Sequence, residues 1–100
     1  MTNYTRGRAR EYQCMQVLEK EGYLALRMAG SHSPFDVIGL LLADNTELPI
    51  IRAIQCKLGS SPTKEAYKQL KGLKIPAVIQ KEIWHFQNRK PTTIQVVKNG

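Results

Sequence analysis

The chain has 100 residues, 42% of them hydrophobic, and a formal net charge of +7 at pH 7. That length makes one domain, and the apolar fraction excludes wholesale disorder. No apolar run approaches the ~20 residues of a membrane span, and the charge excess favours a polyanionic partner, nucleic acid first and an anionic membrane second.

Residues 1–5 read as a short tail. A helix is expected from about Arg6 to Glu21, with Thr5 as N-cap and Gly22 past its end. Arg6, Arg8 and Arg10 precede no apolar signal-peptide segment, so cytosolic (cytoplasmic) residence is the expectation. Glu11, Cys14, Met15 and Leu18 fall at the helical spacing i, i+3, i+4, i+7. Glu11 thus lies on or beside an otherwise apolar, inward face, a costly place for an unpartnered charge. Cys14 and Cys56 lack C-x-x-C or zinc-type spacing and read as buried free thiols.

Strand one is expected over Tyr23–Met28, a turn-rich loop over Ala29–Pro34 and strand two over Phe35–Leu42. Asp44-Asn45-Thr46 marks a hairpin turn, and strand three is expected over Ile50–Lys57. Alternation sends Ile51, Ala53, Gln55 and Lys57 to one face and Ile50, Arg52, Ile54 and Cys56 to the other. Ser61 and Pro62 suit a helix N-cap and first position, opening a helix to about Leu73. Ala66, Leu70 and Leu73 form its apolar stripe, and Lys64, Lys68 and Lys71 a basic one. Lys81–Phe86 and Thr93–Val97 read as a closing hairpin. The order helix, three strands, helix, two strands is that of an α/β or α+β sheet with helices packed against it.

Asp36 opening one strand and Gln55 near the end of the next would meet if the two strands pair antiparallel, with Lys57 on the same face as Gln55. Phosphodiester hydrolysis needs a polarised phosphate, an activated water and neutralised charge. Mg²⁺ takes oxygen ligands and keeps several waters, so one or two carboxylates suffice. The Cys56 backbone carbonyl is a further candidate ligand, and Glu11 an outer acid acting through water.

In these features the chain resembles the PD-(D/E)XK nucleases, and within them the small Holliday-junction-resolvase-like group of archaea and phages. The resemblance rests on Glu11 as the helix-one acid, Gly30–Asp36 as the Gly-Ser segment leading to the aspartate, and Gln55-Cys56-Lys57 as the E-x-K element. It covers roughly Arg6–Lys57, with the element order and the Ile83-Trp84-His85-Phe86 hairpin in keeping. Phe35 separates Pro34 from Asp36, and Gln55 replaces the usual Glu, supplying an oxygen without its charge.

The resemblance implies a restriction-endonuclease-like αβββαββ fold, a central mixed sheet flanked by helices. It implies a Mg²⁺- or Mn²⁺-dependent DNA endonuclease acting on branched or junction DNA, as a homodimer. Glu11, Asp36, Gln55, Lys57 and Ser31 would be catalytic, with Asp36, Gln55, the Cys56 carbonyl and, through water, Glu11 serving the metal. Arg6, Arg8, Arg10, Arg27, Ser31, His32, Ser33, Lys64, Lys68 and Lys71 would meet DNA, mostly through phosphates.

Blander readings stay open at this point. Glu11 pairs with Arg8, Asp36 caps a turn, Gln55 and Lys57 face solvent on an edge strand, His32 is a solvated loop residue, and Trp84, Phe86 and Tyr67 are packing groups. The rival functions are a general nicking or repair endonuclease, a non-catalytic DNA-binding module and an RNA-binding protein.

Overall fold

A computed structural model describes residues 3–28, 33–42, 44, 47–59 and 63–100, with side chains from residue 7 onward. The elements are α1 (Asn3–Lys20), β1 (Tyr23–Arg27), β2 (Val37–Leu41), β3 (Ile51–Leu58), α2 (Lys64–Gly72), β4 (Ile79–Phe86) and β5 (Thr93–Val97). The fold is α/β in the expected order, and the five strands form one mixed sheet in the order β1-β2-β3-β4-β5. β1, β2 and β3 form an antiparallel meander, β4 runs parallel to β3, and β5 returns antiparallel to β4. Parallel neighbours need a crossover, and α2 supplies it between β3 and β4.

Several expected boundaries are corrected. The first helix begins at Asn3 rather than Arg6, so Thr5 lies inside it and residues 3–5 are not a tail. β2 starts at Val37, two residues after the expected Phe35, for a reason that belongs to Asp36. α2 has Thr63 at its N-cap; Ser61 and Pro62 lie outside the described residues, as do Asn45 and Thr46 of the expected hairpin turn. β4 begins at Ile79, ahead of the expected Lys81.

The two helices cover opposite faces. Cys14 and Leu18 of α1 pack with Tyr23, Ala25, Val37, Ile54, Trp84 and Phe86 on one face. Ala66 and Leu70 of α2 pack with Ile83 and Val97 on the other, with Phe35 and Tyr67 alongside. Trp84 and Phe86 are therefore core residues, buried to 1% and 4% exposure. A Cβ on Gly39 would come within 3.2 Å of Leu18 and 3.3 Å of Tyr23, so glycine here permits α1 to lie close on β2. Gly22, just past α1, turns the chain into β1 at φ +96°. Leu73 does not join the buried part of the α2 stripe; it is the C-cap and is 36% exposed.

The α1 face also holds a buried ionic network. Glu82, with 0% exposure, accepts from Arg52 Nε (2.7 Å) and Nη2 (2.8 Å), from Gln80 Nε2 (2.8 Å) and from Trp84 Nε1 (2.8 Å). Arg52 Nη1 donates to Glu21 at 2.7 Å, and the guanidinium lies 5.3 Å from the Tyr23 ring centroid. These partners hold the Arg52 pKa above its ordinary value against the opposing effect of burial. On the other face, buried Lys81 donates to the Leu70 and Leu73 carbonyls and so closes the C-terminus of α2.

Candidate functional site

The β2–β3 ladder pairs Val37 with Ile54, Ile38 with Ala53 and Leu40 with Ile51. Continued by one step, that register would set Asp36 opposite Gln55. Instead the Asp36 N–H donates to the Ile54 carbonyl at 2.8 Å, one residue off. The regular ladder stops there, in the manner of a bulge, and β2 correspondingly starts at Val37. On its other side the Asp36 carbonyl still accepts from Met28 N–H at 2.9 Å, in register with β1.

The broken rung leaves the Cys56 N–H without a main-chain acceptor on β2. The Asp36 side chain takes that place, Oδ2 accepting from Cys56 N at 2.8 Å. An extended residue points its N–H and C=O toward the same neighbouring strand. The Cys56 carbonyl therefore faces the Asp36 side as well. One local interruption thus brings the Asp36 carboxylate and the backbone of the Gln55-Cys56-Lys57 segment together.

Charge converges on the same carboxylate. Burial pushes the Asp36 pKa up, the hydrogen bond from Cys56 lowers it, Glu11 raises it, and Lys57 and Arg27 lower it, with the net result above the ordinary carboxylate value. Glu11 of α1 and Lys57 of β3 are accordingly both close enough to Asp36 to shift it. Glu11 Oε1 accepts from Arg27 Nε at 2.7 Å, and Arg27 also stacks 5.3 Å from the Tyr12 ring centroid. Arg27, expected to meet DNA, is first of all the partner that makes Glu11 tolerable on the sheet-facing side of α1.

Gln55 stands out by what it lacks. Its Oε1 is buried, and among the described residues it has no hydrogen-bond donor. Buried side-chain oxygens are nearly always satisfied, and an orphan calls for an explanation. The alternation holds as expected: Cys56 faces α1 and packs against the Cys14 core, while Gln55 and Lys57 lie on the opposite face. A hydrogen bond with Cys14, reinforced by burial, pushes the Cys56 thiol far above its ordinary pKa, so its sulfur is an inert core group.

The donor set fits a hard divalent cation. Asp36 offers one oxygen beyond that used by Cys56, Gln55 offers an orphaned amide oxygen, and the Cys56 carbonyl faces the same side. Among the described residues no group of three or more His, Cys, Asp or Glu side chains gathers to hold a metal. Carboxylate, amide and carbonyl oxygens are the ligand types that Mg²⁺ and Mn²⁺ accept alongside water.

The remaining expected residues fall in three groups. Arg8, Lys64, Lys68 and Lys71 are exposed, and Arg10 is partly exposed, donating from Nη1 to Gln13 at 3.0 Å. Ser33 is partly exposed, and its Oγ accepts from the Phe35 N–H at 3.1 Å, shaping the approach to Asp36. Ser31, His32 and the side chain of Arg6 lie outside the described residues.

His85 is the residue the sequence reading passed over. The parallel register sets it beside Lys57, and it lies on the same face. Nothing local in Ile83-Trp84-His85-Phe86 announces that neighbour, because the pairing joins residues separated by a whole helix. Compared with protein-family models, curated proteins and solved structures, the chain matches none. Among the described residues no helix is long and apolar enough to cross a membrane.

Proposed function

We propose that this chain is a metal-dependent DNA endonuclease, most simply one selective for branched DNA such as four-way junctions. The observation that carries the reading is the Asp36 carboxylate, raised in pKa and held on the Cys56 N–H, with the adjacent residue on β3, Gln55, carrying a buried Oε1 that has no donor among the described residues. An orphaned amide oxygen beside the strand segment that holds a raised carboxylate is what a cation would satisfy.

Asp36, Gln55 and the Cys56 carbonyl would hold Mg²⁺ or Mn²⁺, which supplies Lewis-acid polarisation of the phosphate and favours deprotonation of water. Lys57, which lowers the Asp36 pKa from nearby, orients the attacking water and offsets charge growing on the phosphate. The Glu11–Arg27 pair sets the charge balance behind Asp36. Exposed Arg8, Lys64, Lys68 and Lys71 give phosphate affinity that weakens with salt. Branched-DNA selectivity and a homodimer with two symmetric cuts follow from the family resemblance and stand or fall with it.

A second reading has its own observation. Glu11 is already neutralised by Arg27, and Gln55 carries no charge, so the site holds little net negative charge for a cation. A DNA-binding module that keeps the fold without cutting would look the same. The test is cleavage of a labelled four-way junction in Mg²⁺ and in Mn²⁺, beside a flap, a nicked duplex and linear DNA. Metal-dependent cuts that vanish in Asp36→Ala support the endonuclease. Binding without cutting across metals and pH supports the module, and equal rates on all four substrates remove the junction preference.

A further inference from the structure

His85 is anchored in a way that leaves one ring nitrogen available. Its Nε2 lies 2.6 Å from the Gly59 carbonyl oxygen. A carbonyl only accepts, so Nε2 carries the hydrogen and donates it. The ring's remaining proton site is Nδ1, for which no partner occurs among the described residues. Gly59 is held from both sides, since its own N–H donates to the Phe86 carbonyl at 2.9 Å, and it turns the chain at φ +69°. The anchor survives any change in protonation, because both the neutral and the cationic ring keep Nε2–H.

The register places this anchored ring next to the site. Lys57 is its neighbour on β3 and Thr93 its neighbour on β5. Adjacent strands are about 4.8 Å apart, so residues paired across them share one patch of the face. The charged group facing His85 across the sheet is therefore Lys57. Along β4, Ile83 and Gln87 lie two residues away, and α2 contributes Tyr67, packed with the Ile83–Val97 cluster. No acid is placed against the ring by any of these elements.

We propose that His85 is a phosphate-binding residue of this site, donating from Nδ1 to a phosphodiester oxygen of the nucleic acid next to Lys57. The inference rests on the reading of the chain as a DNA-processing protein. With Nε2–H committed to Gly59, donation from Nδ1 requires the imidazolium form. A phosphate beside Lys57 and the ring meets both groups, so ring protonation and phosphate binding are thermodynamically linked. The contact is to backbone oxygen and carries no base readout.

The experiment is binding of a fluorescein-labelled four-way junction without divalent metal, read by anisotropy at about pH 8 and about pH 5.5, the range over which histidine changes charge. Parent, His85→Gln and His85→Ala are compared. Glutamine keeps a side-chain N–H for Gly59 but gains no charge. The parent should tighten on acidification about threefold to tenfold more than either variant. His85→Gln that tightens as much as the parent assigns the residue to anchoring Gly59 alone and overturns the proposal. A second measurement uses the unaltered protein: the His85 Nδ1 resonance in ¹⁵N-labelled chain should move when junction is added, and an unmoved resonance also overturns it. Because the readout is binding, a chain that binds but never cuts loses the endonuclease reading and keeps the His85 contact.

Discussion

The sheet carries two ionic clusters, and they are built to opposite rules. Around Glu82 every strong group is matched: two bonds from Arg52 and one each from Gln80 and Trp84 converge on one fully buried carboxylate. Around Asp36 the matching stops short. One carboxylate oxygen takes a displaced backbone N–H, Gln55 Oε1 has no donor among the described residues, and burial raises the Asp36 pKa. The first cluster ties β3, β4 and, through Glu21, the end of α1 together. The second sits where β2 and β3 stop pairing, with the Asp36 carboxylate on the Cys56 N–H and the Gln55 oxygen one residue along the strand. Buried polar groups are nearly always satisfied, as around Glu82, and the orphaned oxygen of Gln55 is the exception.

The sharpest way to break that contrast is to damage each cluster and read both stability and cleavage. Glu82→Ala strips the partner from a buried guanidinium and should cost about 3–5 kcal/mol, visible as a lowered denaturant midpoint. Asp36→Ala orphans the Cys56 N–H and should lower the midpoint less than Glu82→Ala does, by about 1–3 kcal/mol, yet cut DNA at least ~100-fold more slowly in Mg²⁺, a single-turnover measurement. Lys57→Ala should slow cutting likewise. If Asp36→Ala cleaves at the parent rate, the contrast between the clusters has no functional content.

Gln55→Glu is a finer probe. A second carboxylate at the orphaned position should raise Mg²⁺ affinity roughly tenfold, by titration calorimetry, because hard cations follow ligand charge. No change in affinity would place Gln55 away from the cation.

The smallest expected effect is a pH effect on the metal-free protein. Asp36 has its folded pKa raised, so the folded chain holds this proton more tightly than the unfolded one. Its contribution to stability therefore falls as pH rises from the unfolded value through the folded one, the reverse of a salt-bridged carboxylate. Asp36→Asn keeps an oxygen for Cys56 N–H and should melt slightly higher than the parent at neutral pH, the difference vanishing in acid. A lower melting temperature at neutral pH would contradict the raised pKa.

The placement of several candidate residues was legible from periodicity. The i, i+3, i+4, i+7 pattern put Glu11 on the sheet-facing side of α1, and strand alternation put Gln55 and Lys57 on one face with Cys56 on the other. Both follow from local geometry, which needs no knowledge of neighbours. The start of β2 was misplaced because the break at Asp36 depends on a side chain replacing a main-chain acceptor across the sheet. Arg27 as a partner of Glu11 depends equally on how α1 lies over β1.

The sequence by itself determined the element order, most of the two apolar helix stripes and the two faces of β3, since 3.6- and 2-residue periods are properties of the local backbone. Tertiary structure alone decided the pairings: Asp36 on Cys56, Arg52 on Glu82, and Lys57 beside His85. Each joins residues at least 20 positions apart, and only strand register and helix docking specify which of many chemically suitable partners meet. The orphaned oxygen of Gln55 belongs to the same class, because an unmet partner appears only once all the met ones are in place.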